Sequence, residues 1–208
     1  MQTEEISFEW CNIVQITKTQ NAVTILMGTD MSTYNNSWFR PGSFPKRMLW
    51  HYVNIIFFRS GFFPFYSIKV FLLKLFGAKV GKGVCIKPFV NIKYPWLLSI
   101  GNEVWIGENV WIDNMAYVLI KNNVCISQGA CLLTGNHDYK KSAFDLLTGK
   151  ITLEEGVWIG AQAIVCPGIT CKSHSVLSVA SVATRNLEPY CIYRGNPAVK
   201  VRDRIFES

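Results

Sequence analysis

Three histidines, His51, His137 and His174, are the natural candidates for proton transfer in this chain of 208 residues. Imidazole titrates at ~6.5 and so changes charge close to neutral pH. His51 lies in an apolar N-terminal segment and His174 in a tight turn, where structural or exposed roles suit both. His137 differs, because it opens a polar stretch, Gly135-Asn136-His137-Asp138-Tyr139, at a point where a regular pattern stops. A histidine so placed can accept a proton from a weak nucleophile as a general base. Asp138, Asp145 or Glu155 could orient its ring, and a backbone carbonyl could do so equally well. No metal is expected: the histidines share no ligand spacing and no two cysteines form a Cys-x-x-Cys pair.

The pattern that stops at His137 is an aliphatic residue at every sixth position. It falls on Val80, Ile86, Ile92, then Ile100, Ile106, Ile112, then Ile120, Ile126, Leu132, and resumes at Leu153, Ile159, Val165, Cys171, Leu177 and Ala183. A smaller set, including Val84, Val104, Val124 and Val157, sits four residues after the beat. A period of six fits neither a helix nor simple strand alternation, and predicts a solenoid of short strands and tight turns. Three hexads make one triangular coil, and the two-residue slips from Ile92 to Ile100 and from Ile112 to Ile120 place insertions at one corner. About five coils are expected over 80–187, with 133–152 projecting as a loop.

Composition sets the frame. Half the residues are hydrophobic and 17% are charged, which excludes a disordered chain and predicts one core with decorated ends. The net charge of +7 suits a polyanionic ligand or an anionic membrane surface, but no basic run or nucleic-acid motif points to RNA or DNA. Seven scattered cysteines read as free thiols in a reducing cytoplasm. Residues 1–34 form an extension of unknown role, without the charged start and apolar core of a secretory signal. Residues 35–79 are aromatic-rich and predict two helices broken near Gly61 and Pro64. Arg59, Lys69 and Lys74 interrupt the apolar run short of a membrane span, so the pair is expected to cap the open end of the solenoid and to touch membrane at most peripherally. Residues 188–208 read as an irregular or helical tail.

With its repeat and its motifs the chain resembles the hexapeptide-repeat acyltransferases, in the branch of colanic-acid-type exopolysaccharide O-acetyltransferases. The resemblance runs from about Asn35 to Arg204, the family's chains starting close to the stretch 34–42, and its most specific pieces are Leu75–Gly81, Tyr94-Pro95-Trp96, Ile126–Gly129, Gly135–Tyr139 and Gly195–Ala198. It implies a mainly β fold, a left-handed parallel β-helix; the handedness rests on the resemblance alone, since the general preference for right-handed crossovers argues the other way. It also implies acetyl-CoA as donor, no metal, and a homotrimer with sites between subunits. His137 matches the family's catalytic histidine. The matching donor surface is Trp158, Gly160, Ala161, Ser178, Val179, Thr184 and Arg185, with Lys200 and Arg185 placed for CoA phosphates. Asp113, Asn114 and Asp138 resemble acceptor-side residues, and Trp105 and Trp111 face outward to pack a neighbour or stack on a sugar. The implied reaction is acetyl transfer to a sugar hydroxyl by a cytoplasmic enzyme, peripheral to the membrane at most. Two rivals stay open: a same-fold acyltransferase with an amino sugar, antibiotic or amino acid as acceptor, and a non-catalytic β-helix scaffold, which would lack both the loop histidine and the late donor-binding coils.

Overall fold

A computed structural model describes residues 16–19, 22–25 and 28–207. The chain divides into two units, Phe39–Asn136 with Leu147–Ser208, and Met1–Trp38 with His137–Leu146.

The larger unit is a parallel β-solenoid whose three sheets each collect one strand per coil. The first holds Lys79–Val80, Leu98–Ile100, Val118–Ile120, Ile151–Leu153 and Thr170–Cys171. The second begins Cys85–Ile86, Trp105–Ile106, Cys125–Ile126, Trp158–Ile159, Val176–Leu177. The third holds Asn91–Ile92, Trp111–Asp113, Cys131–Leu133, Ile164–Val165 and Val182–Ala183. The register stacks the beat on itself, Ile86 on Ile106, Ile126, Ile159 and Leu177, and every one of these side chains is buried. The smaller residues at Val84, Val104, Val124 and Val157 fill the interior beside them.

Corners follow the same count. Three residues past the beat the backbone enters the left-handed region, with φ between 53° and 61° at Phe89, Glu103, Asn109, Asn123, Gln162, His174 and Ala180. That conformation costs a side-chain-bearing residue ~1–2 kcal/mol, which coil-to-coil bonds at the corners offset, such as Glu103 N–H to Lys82 O at 2.8 Å and His174 N–H to Glu155 O at 2.7 Å. Some hexad positions admit no side chain at all: a Cβ on Gly160 would lie 2.6 Å from the Val179 backbone nitrogen of the next coil.

The solenoid is longer than the five coils expected from the sequence. Leu187 bridges to Cys171, and Cys191–Gly195 pairs in parallel with Val176–Leu177, adding a partial sixth turn. The tail is also not helical. Ala198–Asp203 folds back antiparallel on Cys191–Gly195, because Val199 and Val201 alternate with Lys200 and Arg202, a period-two pattern rich in β-branched residues.

Two helices, Phe44–Val53, continued by a π-helical turn Asn54–Phe58, and Tyr66–Leu75, cover the first coil. Their placement follows from backbone bookkeeping. Along the strands each coil's amides donate to the carbonyls of the next, as Cys85 does to Val104 O and Lys87 to Ile106 O, while the corner bonds run the other way. The first coil's strand carbonyls therefore lack a preceding coil to donate to them, and buried carbonyls need partners. Lys69, fully buried, donates to Ile86 O at 3.2 Å and Lys87 O at 2.9 Å. Trp50 donates from Nε1 to Ile92 O at 2.8 Å, and its ring packs against Phe58 and Phe76 at 5.3 and 5.1 Å. Asn54 adds a bond to the Asn91 side chain at 2.7 Å.

In the smaller unit Ile16–Thr19 and Ala22–Ile25 pair as antiparallel strands. Asp30 N–H donates to Ser142 O at 2.9 Å, and the Ser142 hydroxyl to Gly28 O at 2.8 Å. The extension of unknown role, residues 1–34, lies partly outside the described residues.

Candidate active site

The smaller unit holds His137 between two aromatic side chains and a carbonyl. Its ring stacks on Phe144 at 4.5 Å and 8° between planes, and Tyr34 lies 5.8 Å away, tilted. Phe144 contributes twice, because its backbone oxygen sits 2.9 Å from His137 Nδ1. A carbonyl only accepts, so Nδ1 donates, and in the neutral ring the lone pair lies on Nε2, an arrangement that suits a general base. Among the groups that could orient the ring, a backbone carbonyl is the one in contact with it among the described residues. Phe144 itself adopts φ of 51°, a conformation uncommon for a bulky residue. Asp138 is bound within the loop instead, its N–H donating to Asp145 O at 2.8 Å and its carboxylate accepting from Lys140 N at 3.2 Å. Asp145 pairs with Lys141 at 3.1 Å. Phe144 carried no signal in the sequence, since what it supplies is main chain.

In the larger unit, Thr134 anchors the root of the loop and was likewise missed. It is fully buried, its hydroxyl donates to Asp113 O at 2.8 Å and accepts from Ala116 N at 2.9 Å, and its own carbonyl accepts from Gly149 N at 2.8 Å. Asp113 lies 2.7 Å from Lys93 Nζ, yet its Oδ1 is buried without an aligned hydrogen bond. Asn114 is spent structurally: buried, it accepts from Tyr94 N at 2.9 Å and donates to Tyr94 O at 2.6 Å, stapling one coil to the one before.

The residues matched to donor binding share the last coils of the larger unit. Trp158 is exposed and held by a bond from Nε1 to the Ser127 hydroxyl at 2.9 Å. Gly160 N–H donates to Leu177 O at 2.7 Å, and Ala161 O accepts from Ala180 N at 2.8 Å. Ser178 is half-buried, while Val179, Thr184 and Arg185 are exposed. Lys200 pairs with Asp203 at 2.7 Å, a contact that raises its pKa to about 12.

The other titratable candidates are structural. His174 packs between Tyr190 and Phe206, at 4.9 and 5.6 Å. The cysteines among the described residues are free, but burial pushes Cys171 up to about 12, and burial with the nearby Asp113 charge pushes Cys131 up to about 11. Such thiols carry little thiolate at neutral pH and make poor nucleophiles. No group of three or more His, Cys, Asp or Glu able to hold a metal occurs among the described residues.

No family model matches the chain. Individual relatives do. WcaF of Escherichia coli (strain K12), named as an inferred colanic acid biosynthesis acetyltransferase, is 36% identical over 167 residues, 80% of this chain and 92% of WcaF. The galactoside O-acetyltransferase of the same organism is 29% identical over 136 residues, 64% of this chain and 66% of that protein. Among solved structures, a hexapeptide-repeat acetyltransferase from Vibrio cholerae O1 biovar eltor complexed with acetyl coenzyme A superposes with a TM-score of 0.70 at 22% identity, over 78% of this chain and 88% of that one. Repeat, fold and identity across most of both chains agree: the chain belongs to the hexapeptide-repeat acetyltransferases, in the family of WcaF.

Proposed function

We propose that the protein is an acetyl-CoA-dependent O-acetyltransferase acting on a sugar hydroxyl in bacterial exopolysaccharide synthesis, with His137 as general base. The observation that carries this reading is the bond from His137 Nδ1 to Phe144 O at 2.9 Å, which fixes a basic Nε2 on a clamped ring. The names of WcaF and of the galactoside O-acetyltransferase support a sugar acceptor, and the acetyl coenzyme A complex of the Vibrio cholerae protein supports the donor. As the acceptor hydroxyl attacks the thioester carbonyl, its proton passes to Nε2. The tetrahedral oxyanion takes hydrogen bonds from backbone amides. It then collapses to the ester, expelling the CoA thiolate, which recovers the proton from the imidazolium. Trp158, Gly160, Ala161, Ser178, Val179, Thr184, Arg185 and Lys200 are assigned to the donor, and Asp113 and Asp138 to the acceptor side. Asn114 is assigned there only through the coil corner that it braces. Incubating the protein with labelled acetyl-CoA and the host's lipid-linked and soluble glycans tests the reading: label should enter a saccharide, and label confined to free acetate or to proteins would reject it.

The same reading makes the working form a homotrimer with sites between subunits. Trp105, Trp111 and Trp158 stay exposed, at 62%, 44% and 46%, on flat faces of the solenoid, and exposed aromatic residues on a flat surface suit an interface. Sedimentation equilibrium at micromolar concentration should give three times the 23.6 kDa chain mass; a clean monomer would remove the shared site.

Peripheral membrane contact on the cytoplasmic face belongs to the proposal as well. Ile55, Ile56, Phe62, Phe65, Phe71 and Leu75 are exposed on the helical cap, and no Asp or Glu occurs between Met31 and Asn102. Exposed apolar and basic residues together suit an anionic lipid surface. No helix among the described residues is long and apolar enough to cross a membrane. High-salt washing should therefore release the protein from membranes, whereas retention until detergent is added would contradict a peripheral contact.

A further inference from the structure

A cavity of about 440 Å³ opens in the larger unit where the first helix faces the strands that end near Lys93 and Asp113. Beside Met48, Trp50, His51, Asn54 and Asn91, its lining holds three kinds of group. Phe44, Tyr94 and Trp111 are aromatic, Arg47, Arg59 and Lys93 are cationic, and Asp113 is the one carboxylate. The balance is not neutral. Asp113 is engaged by Lys93 at 2.7 Å, while neither Arg47 nor Arg59 joins an ion pair among the described residues. Arg47 Nε is buried without a hydrogen-bond partner, and so is Asp113 Oδ1, whose contact with Lys93 is too misdirected for a hydrogen bond.

Buried polar atoms left without partners are costly and call for an explanation, an absent ligand being one. A bare anion would satisfy Arg47 and Arg59 but would gain nothing from Asp113 or the aromatic groups. A neutral sugar would use Asp113 and the rings but leave the guanidinium unmatched. A ligand carrying an anionic group, hydroxyls that donate and an apolar ring face uses all three.

We propose that this cavity binds an acidic saccharide, with its carboxylate or phosphate on Arg47, supported by Arg59 and Lys93, a hydroxyl donating to Asp113, and the ring packed among Phe44, Tyr94 and Trp111. Guanidinium groups suit this because they pair bidentately with carboxylates and phosphates. The assignment of that saccharide as the acetyl acceptor rests on the proposed function; its binding does not.

The test is therefore binding without acetyl-CoA. Glucuronate, glucose 1-phosphate, inorganic phosphate and glucose are titrated separately into the full-length protein by calorimetry. An acidic sugar should bind roughly 10-fold or more tightly than both glucose and inorganic phosphate, with glucuronate and glucose 1-phosphate telling a carboxylate ligand from a phosphate one. Arg47→Gln should remove that preference while acetyl-CoA affinity stays at its wild-type value, and Arg47→Lys should restore part of it. Arg59→Gln, read the same way, serves if Arg47→Gln does not fold. Glucose binding as tightly as the acidic sugars, inorganic phosphate binding as tightly as either, no binding of any probe, or an unchanged preference in the folded arginine variants would overturn the proposal. The two readings fail separately: acidic-sugar binding without acetyl transfer keeps the cavity and rejects the function, and acetyl transfer to a neutral glycan without acidic-sugar binding does the reverse.

Discussion

Replacing His137 with alanine is expected to slow acetyl transfer by roughly 10²–10⁴-fold, the usual contribution of a positioned general base, while acetyl-CoA affinity stays close to wild type. The separation follows from where the residues lie. His137 is bonded through Nδ1 to Phe144 O and stacked on the Phe144 ring, and it takes no place in the buried ladder of Ile86, Ile106, Ile126 and Ile159. Truncating it removes a proton acceptor without opening a cavity in the solenoid. The donor residues belong to the last coils, around Trp158, Ala161, Thr184 and Arg185. Turnover is read from thiol release in the presence of the acceptor, and affinity from calorimetry. A variant that turned over at the wild-type rate would remove His137 as the base; one that lost donor binding as well would move the donor site. Phe144→Ala should fall between the two proteins, because it loses the ring stack but keeps the carbonyl that sets the tautomer.

The largest effect on stability is expected at the cap. Trp50 is 2% exposed, packs against Phe58 and Phe76, and satisfies the Ile92 carbonyl on the open edge of the first coil. Trp50→Ala should cost ~3–5 kcal/mol, the range for deleting a large buried aromatic side chain. Trp50→Phe isolates the hydrogen bond, since it preserves most of the packing and strands the carbonyl, at ~1–3 kcal/mol. Urea unfolding at one fixed protein concentration should order the midpoints wild type, Trp50→Phe, Trp50→Ala. An alanine variant as stable as wild type would mean that the helices do not seal the solenoid edge.

The contrast between Ile86 and Lys69 shows which parts of this architecture the sequence makes legible and which it does not. Ile86 is read correctly because a six-residue period repeats in every coil, and the repetition averages out the ambiguity of any single short strand. The same count locates the loop that begins beyond Leu132. Lys69 reads in the sequence as a charge that breaks an apolar run, yet it is fully buried and donates to two carbonyls of the first coil. A single lysine has no period, and its value depends on an edge that exists only after the coils stack. The sixth turn was hidden for a related reason: Leu187 follows Ala183 by four residues instead of six, and the position six beyond Leu187 is Tyr193, not an aliphatic residue.

At the site, His137 was legible through its motif, but its partner was not. Phe144 acts through a carbonyl, which every residue possesses, on a left-handed backbone that no local signal announces. Asn114 shows the converse. Its residue type suits a substrate contact, but both ends of its amide are taken by Tyr94. The cavity beside Arg47 brings together segments 44–59 and 91–113 only once the first two coils close, so no pattern in the chain marks it.

The claim that an acetyl group is transferred to a sugar hydroxyl is tested most directly by the bond it forms. The labelled saccharide isolated after reaction with acetyl-CoA is treated with alkaline hydroxylamine, which cleaves acetyl esters and leaves acetyl amides intact. Release of the label from the saccharide, together with its absence from the product of the His137→Ala protein, is the result predicted. Label that stays on the saccharide would place the acetyl group on nitrogen and contradict the account.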